Sequence, residues 1–413
     1  MSSKDYPAPD TDEYPTPELE EFEQFREWVN NPHDYGRDWK DRHSDVDGRV
    51  VAFFCTYMPR EVFYAADVMP VRVYGGHQSD EISESDEHIF RGMFCPFSRD
   101  LLSQGLLGRY DYADGIGMAS TCLHLRQAYQ SWEEHVLDED DFSHYFLMPH
   151  GNQQEGGVEY LAEKLAETRE AVEEFTGKEV TDEDLQDAIE VYDENRRLMR
   201  EVYEYRKEPN PPISGLQAQE MVKASHVADP KEHNELLRSA LEKLENYDGP
   251  RREAEFRLMH ISSENDDRRF MHMVEENLPF NITVVTEEAC VGTRDFWNVS
   301  DETGEGPLVD IANRYLDRPP CPNKDWPSRK RMDHIAELAE DFDIDGAMII
   351  QQKFCDPHEL DIPYEREMLE EEMDIQTLTL EFDASVPVGQ FITRVEAFVE
   401  QLQTQQMGMD DLY

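Results

Sequence analysis

The residues best suited to chemistry are six cysteines: Cys55, Cys95, Cys122, Cys290, Cys321 and Cys355. No CxxC pair occurs, which removes ribbon-type zinc sites and thioredoxin-like redox chemistry. Nor does the chain carry GxSxG, a phosphate-binding GxxxxGK[ST] loop or HExxH. Placement says more than number. Cys55 ends the apolar run 49–55, Cys122 follows 115–121, Cys290 ends 281–290 and Cys355 follows 345–352. Each lies at or just past the carboxyl end of a predicted strand, where ligand sites gather in open α/β sheets. Cys95 precedes Pro96 and Ser98, which suit a helix start, and a helix amino terminus favours thiolate over thiol. One free cysteine is most simply a small buried hydrophobe. A set converging from distant loops is what an iron–sulfur cluster needs, with zinc as the alternative metal.

The elements that must position these thiols come in three blocks. Residues 1–44 read as an acidic tail, rich in Pro, Asp and Glu to about residue 20, followed by a helix near 19–29. Residues 45–155 alternate apolar strand-like runs (49–55, 69–76, 115–121, 144–151) with helical segments, the pattern of βαβ units and a parallel sheet. Residues 156–248 read as long charged amphipathic helices, with Thr181-Asp-Glu-Asp184 as an amino-terminal cap. Alternation returns over 249–413, with strands at 256–262, 281–290, 345–352 and 375–382. Helices are expected near 267–277, 307–316, 328–342 and 360–372, and a final amphipathic helix follows. The fold class is therefore α/β: two parallel-sheet, Rossmann-like domains with a helical insert between them.

Composition limits the partners. The 413 residues carry 39 Lys and Arg against 92 Asp and Glu, a net charge of −53. Such a chain repels nucleic acid and anionic membrane, which bind through clustered basic residues. No run approaches the ~20 apolar residues of a membrane span, and the amino terminus has no apolar signal region, so a cytoplasmic protein with reduced thiols is expected. Only 11 of the bases are Lys. Acid excess in every segment with scarce Lys is the pattern of a halophilic, haloarchaeal-type protein. Most carboxylates are then solvated surface, and acid clusters are poor guides to catalysis.

Six segments together resemble a known family. They are 54–76 (FCTYMPREVFYAADVMPVRVYGG), 94–129 (beginning FCPFSRD and containing STCLHLR), 290–302 (CVGTRDFWNVSDE), 312–322 (ANRYLDRPPCP), 345–383 (containing QQKFCDPHELDIP) and 388–402 (VGQFITRVEAFVEQL). The chain is similar to the benzoyl-CoA reductase / 2-hydroxyacyl-CoA dehydratase subunits, the group of the 2-hydroxyglutaryl-CoA dehydratase D component, over roughly 45–150 and 250–403. The resemblance implies a [4Fe–4S] cluster held by three cysteines between two α/β domains, its fourth iron left to substrate or water. By motif these are Cys95, Cys122 and Cys355. The family often has TCD at the second motif; here Leu123 follows Cys122, while Asp356 after Cys355 is retained.

The resemblance also implies an activity. Such subunits pass one low-potential electron to an acyl-CoA thioester, expelling hydroxide through a ketyl radical in dehydratases or reducing an aromatic ring in reductases. An ATP-hydrolysing iron–sulfur activator supplies the electron, and the oxygen-sensitive, anaerobic enzyme is made whole by a homologous second subunit. The segment 352–363 leans toward the benzoyl-CoA reductase type. Alternatives are a double-cubane-cluster reductase of small molecules, and a structural subunit whose partner does the chemistry. Cys55, Cys290 and Cys321 lie in family motifs without being the usual ligands. His124 is a candidate proton donor or a packing residue. Arg99, Arg126 and Arg294 are candidates for CoA phosphates or for structural ion pairs. Glu61, Asp301 and Glu302 carry no assigned chemistry.

Overall fold

The computed structural model describes residues 19–151, 154–383 and 385–410; nearly all of the expected tail, residues 1–18, lies outside them. Eight strands form, each where an apolar run is bounded by turn residues. They are β1 (Arg49–Phe53), β2 (Val68–Arg72), β3 (Gly115–Ala119), β4 (Phe142–Phe146), β5 (Phe256–Ser262), β6 (Ile282–Glu288), β7 (Gly346–Gln352) and β8 (Gln376–Phe382). They make two four-stranded, wholly parallel sheets, in the orders β2-β1-β3-β4 and β6-β5-β7-β8. The two orders are the same permutation, so the halves share one topology. Continuous burial along β2, β3, β5, β6 and β7 reflects helices on both faces.

Four helices separate the sheets in sequence: Gly157–Thr176, Asp182–Arg206, Gly215–Ala224 and Pro230–Glu245. The second begins with a reciprocal cap, Thr181 accepting from the Asp184 N–H while the Asp184 carboxylate accepts from the Thr181 N–H. This helix serves two cores. Leu185, Ala188 and Ile189 join the apolar cluster around β1–β4, whereas Leu198, Met199, Val202 and Tyr203 join the one on the second sheet. A third cluster covers the other face of that sheet, beneath Arg268–Glu276 and Val388–Asp410.

Buried ion pairs tie the halves together. Arg60 donates twice to Asp295 (2.9 and 3.1 Å), and Arg196 bonds both Glu61 and Asp193. Tyr315 donates to the Met58 carbonyl (2.8 Å) and Arg318 to the Thr56 carbonyl (2.8 Å). Glu61 is thus a structural counter-ion. Burial opposes its charge, but Arg196 and Arg314 hold its carboxyl down at about 2.

Candidate functional site: a chamber lined by six thiols

Both sheets point their carboxyl ends at one seam, and the seam encloses a cavity of about 240 Å³ lined by all six cysteines. The strand orders explain this. In each sheet the order reverses between the first and third strands, the place where open α/β sheets leave a crevice. Cys55 lies just beyond β1, and Cys122 three residues beyond β3; Cys290 and Cys355 follow β6 and β7. Cys95 and Cys321 come from loops that close over the seam.

Three of the thiols share a local device. Cys95, Cys122 and Cys355 are the residues immediately before the helices Pro96–Leu106, Leu123–His135 and Asp356–Glu359. The Leu125 N–H donates to Cys122 Sγ (3.3 Å). Cys355 is held by its own N–H, which donates to the Gln352 carbonyl (2.9 Å). The other three sit in loops, one of them bonded across the seam. The Cys321 N–H donates to the Tyr57 hydroxyl (3.2 Å), and Arg294 Nη2 donates to Cys290 Sγ (3.4 Å) and to the Ser262 carbonyl (2.8 Å).

The thiols feel one another's charge around the chamber. Cys122 is disfavoured as an anion by Cys95, Cys355 and Cys55, and Cys355 by Cys95. Cys55 feels Cys290, Cys290 feels Cys321, and Cys321 feels Cys55 and Cys355.

Burial raises every thiol, Cys290 and Cys355 to about 11. This corrects the expectation for Cys95. Its hydrogen bonds from Ser98 and Phe97 at the helix start do lower its pKa, but desolvation outweighs them. Such thiols are inert nucleophiles and become thiolates when a metal displaces their protons. Among the described residues, no three Cys, His, Asp or Glu side chains are grouped closely enough to hold a single metal ion. All six thiols, whose residue type is the usual ligand of iron–sulfur clusters, line one largely apolar chamber.

Three buried cations act on the thiols: Arg72 lines the chamber, Arg294 bonds Cys290 Sγ, and Lys324 lies close enough to feel Cys55, Cys321 and Cys122. Lys324 donates to the Ser120 and Met148 carbonyls (2.7 and 3.2 Å), and desolvation lowers it to about 8. In a chain of net charge −53, cations beside the thiols fit the negative charge of a thiolate-bound cluster. Arg72, Lys324 and the buried Glu264 in the chamber wall have no sequence signal of their own.

The other candidates separate clearly. His124 lines the chamber, half-buried, its Nδ1 accepting from the Cys95 N–H (3.2 Å); burial lowers its pKa, so the neutral ring carries its proton on Nε2. Arg99 is buried against Asp86 (2.7 Å) and Arg294 against Glu288 (3.2 Å). Of the three arginines only Arg126 is on the surface, over the Tyr145 ring. Asp301 and Glu302 are exposed.

The family model described as 2-hydroxyglutaryl-CoA dehydratase, D-component, matches residues 55–402, from the first cysteine through the last strand and into the final helix. The chain belongs to this family. Its relatives include the beta subunit of (R)-phenyllactyl-CoA dehydratase from Clostridium sporogenes, 26% identical over 383 residues, covering 92% of this chain and 98% of that protein. A subunit of the benzoyl-CoA reductase from Thauera aromatica is 29% identical over 205 residues, covering 50% of this chain and 52% of the relative. The beta subunit of (R)-2-hydroxyglutaryl-CoA dehydratase from Acidaminococcus fermentans is 23% identical over 364 residues, 84% of this chain and 90% of the relative. As a D-component family member the chain is an enzyme subunit. No described helix is long and apolar enough to cross a membrane.

Proposed function

We propose that the chain is the iron–sulfur subunit of an acyl-CoA reductase or dehydratase. Cys95, Cys122 and Cys355 would hold a [4Fe–4S] cluster, leaving one iron without a cysteine ligand. The observation that carries this reading is the convergence of the thiols on one cavity between two parallel sheets. Bound there, such a cluster supplies single electrons of low potential to a CoA thioester.

The chain's own residues prepare the site. Largely apolar walls surround the thiols, the three cations balance negative charge, and His124 presents a donating Nε2–H. The partners on this reading are a homologous second subunit, an ATP-hydrolysing iron–sulfur activator and the acyl-CoA; the setting is cytoplasmic and anaerobic.

A second reading is favoured by the other three thiols. Cys55, Cys290 and Cys321 line the same chamber as the first three. Six thiolates would hold two cubanes side by side, as in a double-cubane reductase of small molecules.

Iron and acid-labile sulfide per chain, measured after anaerobic purification in high salt with a spin-resonance spectrum of the reduced sample, separates the readings. About four of each supports the single cluster. In that case Cys95→Ala, Cys122→Ala and Cys355→Ala each abolish the signal, while Cys55→Ala, Cys290→Ala and Cys321→Ala retain it. About eight, with all six substitutions lowering iron, supports the pair. A folded, iron-free chain that supports full activity of the complex makes this a structural subunit.

A further inference from the structure

Glu264 lies just past the end of β5, at the strand-order reversal of the second sheet, the position equivalent to that of Cys55 in the first. It is 6% exposed. Its Oε2 accepts from Arg72 Nη2 (2.8 Å), but its Oε1 is buried with no hydrogen-bond partner among the described residues. Glu81 and Glu365 also pair with an arginine through one oxygen and leave the other buried and unpartnered, but of these carboxylates only Glu264 lines the thiol chamber. A buried oxygen without a partner is costly unless water or a bound molecule meets it.

The space around Glu264 shows where that partner would come from. Glu264 is in the wall of the thiol chamber and also in the wall of a gap of about 10 Å³ behind it. That is close to the room one water occupies. The gap's other polar walls include Asp100, Asn265, Asp266 and His77. His77 and Asp266, paired at 2.9 Å, also line a much larger cleft of about 500 Å³, whose rim holds the exposed Asp34 and Arg37. Three spaces therefore stand in series with shared walls: an open cleft, a one-water gap and the thiol chamber.

We propose that Glu264 is the inner member of a proton path from the open cleft to the molecule held in the thiol chamber. The inference rests on the single-electron reading above: a proton delivered at the same place neutralises the charge an added electron brings, or turns expelled hydroxide into water. The Glu264 O–H bond breaks and the proton passes to the acceptor. The carboxylate then takes a proton from the gap water, which regains one from the cleft past His77 and Asp266. No electron moves along this path. The charged groups facing Glu264 are Arg72 and Arg294, which favour its anion, and Asp266, which opposes it. Burial is the largest influence, and the carboxyl stands above its ordinary range. Glu264 in turn disfavours the Cys290 thiolate.

The test is infrared spectroscopy of the purified full chain at the acid end of its folded range. A carboxylic C=O band should vanish in Glu264→Gln and persist, shifted, in Glu264→Asp. On mixing with D₂O it should exchange at least tenfold more slowly in His77→Phe. A second readout is the midpoint potential of the iron–sulfur centre, which should fall as pH rises in wild type and lose that dependence in Glu264→Gln at equal iron content. A band untouched by Glu264→Gln, exchange unaffected by His77→Phe, or a wild-type pH slope in Glu264→Gln overturns the path. The exchange measurement needs no metal. An iron-free chain that passes it overturns the electron-transfer reading and leaves the path standing; a loaded chain that fails it does the reverse.

Discussion

At the scale of the residue, local charge decides which titrations matter. His77 is mostly buried, and desolvation pulls its pKa down, yet Asp266 and Asp267 push it up to about 9 from an ordinary 6.5. A histidine whose folded pKa is raised stabilises the fold fully below about 6.5, and loses that contribution as pH rises through 9. The thermal midpoint should therefore fall between those values, and His77→Gln should flatten the profile there. An unchanged slope in the variant would show that the Asp266 contact is too solvated to matter. The same scale explains what a sequence hides. Cysteines past strand ends announce themselves, because apolar runs mark the strands and thiols are few. Glu264, one carboxylate among 92 acidic residues, does not. Nor do Arg72 and Lys324, whose value lies in the charges that long-range folding brings beside them.

Elements were legible where periodicity and boundaries agree. Seven strands fall within a few residues of their apolar runs, while β4, expected at 144–151, forms at Phe142–Phe146; continuous burial makes the inner strands legible, but β4 and β8 are only partly buried. The helix Gly215–Ala224 escaped notice because all ten residues are buried, leaving no polar face and no 3.6-residue contrast. Pro32–Arg42 escaped for a different reason: Gly36 interrupts it, and only Gly36 and Trp39 are buried. The single helix expected over 360–372 is a helix at Ile362–Arg366 running into a π-helical turn at Glu367–Glu372. Where a cap was legible it is also testable. Thr181→Ala removes the acceptor for the Asp184 N–H and should cost about 1 kcal/mol in denaturant unfolding. A cost near zero would mean that the acids of the first turn hold that helix end without the hydroxyl. Spacing along the chain alone does not show which thiols meet, because it says nothing about how two sheets face each other; only the family motifs picked out Cys95, Cys122 and Cys355.

At the scale of the whole molecule, charge and topology act together. The net −53 is spread over a surface whose carboxylates repel one another across distances that salt controls. Screening reaches ~3 Å at 1 M and ~10 Å at 0.1 M. Dilution from molar salt to ~0.1 M should therefore lower the thermal midpoint. The buried pairs that join the halves, such as Arg60 with Asp295 at 4% side-chain exposure each, are sheltered from that change. Loosening should thus begin at the exposed acidic helices and reach the seam last, an order that hydrogen exchange would reveal. A midpoint unchanged across the range would reject the halophilic reading.

The chamber draws its six thiols from positions 55 to 355, and this has a consequence measured in time. A ribosome adding ~5–20 residues per second needs about 15–60 s to make the 300 residues between the first and last of them. For that interval Cys55 waits, later joined by Cys95 and Cys122, with the opposite wall still unmade. On the proposed reading, a cluster held by Cys95, Cys122 and Cys355 could be delivered only once the chain is nearly complete, and the waiting thiols would have to stay reduced until then. The cell's oxygen tension during synthesis would then set how many finished chains can be loaded.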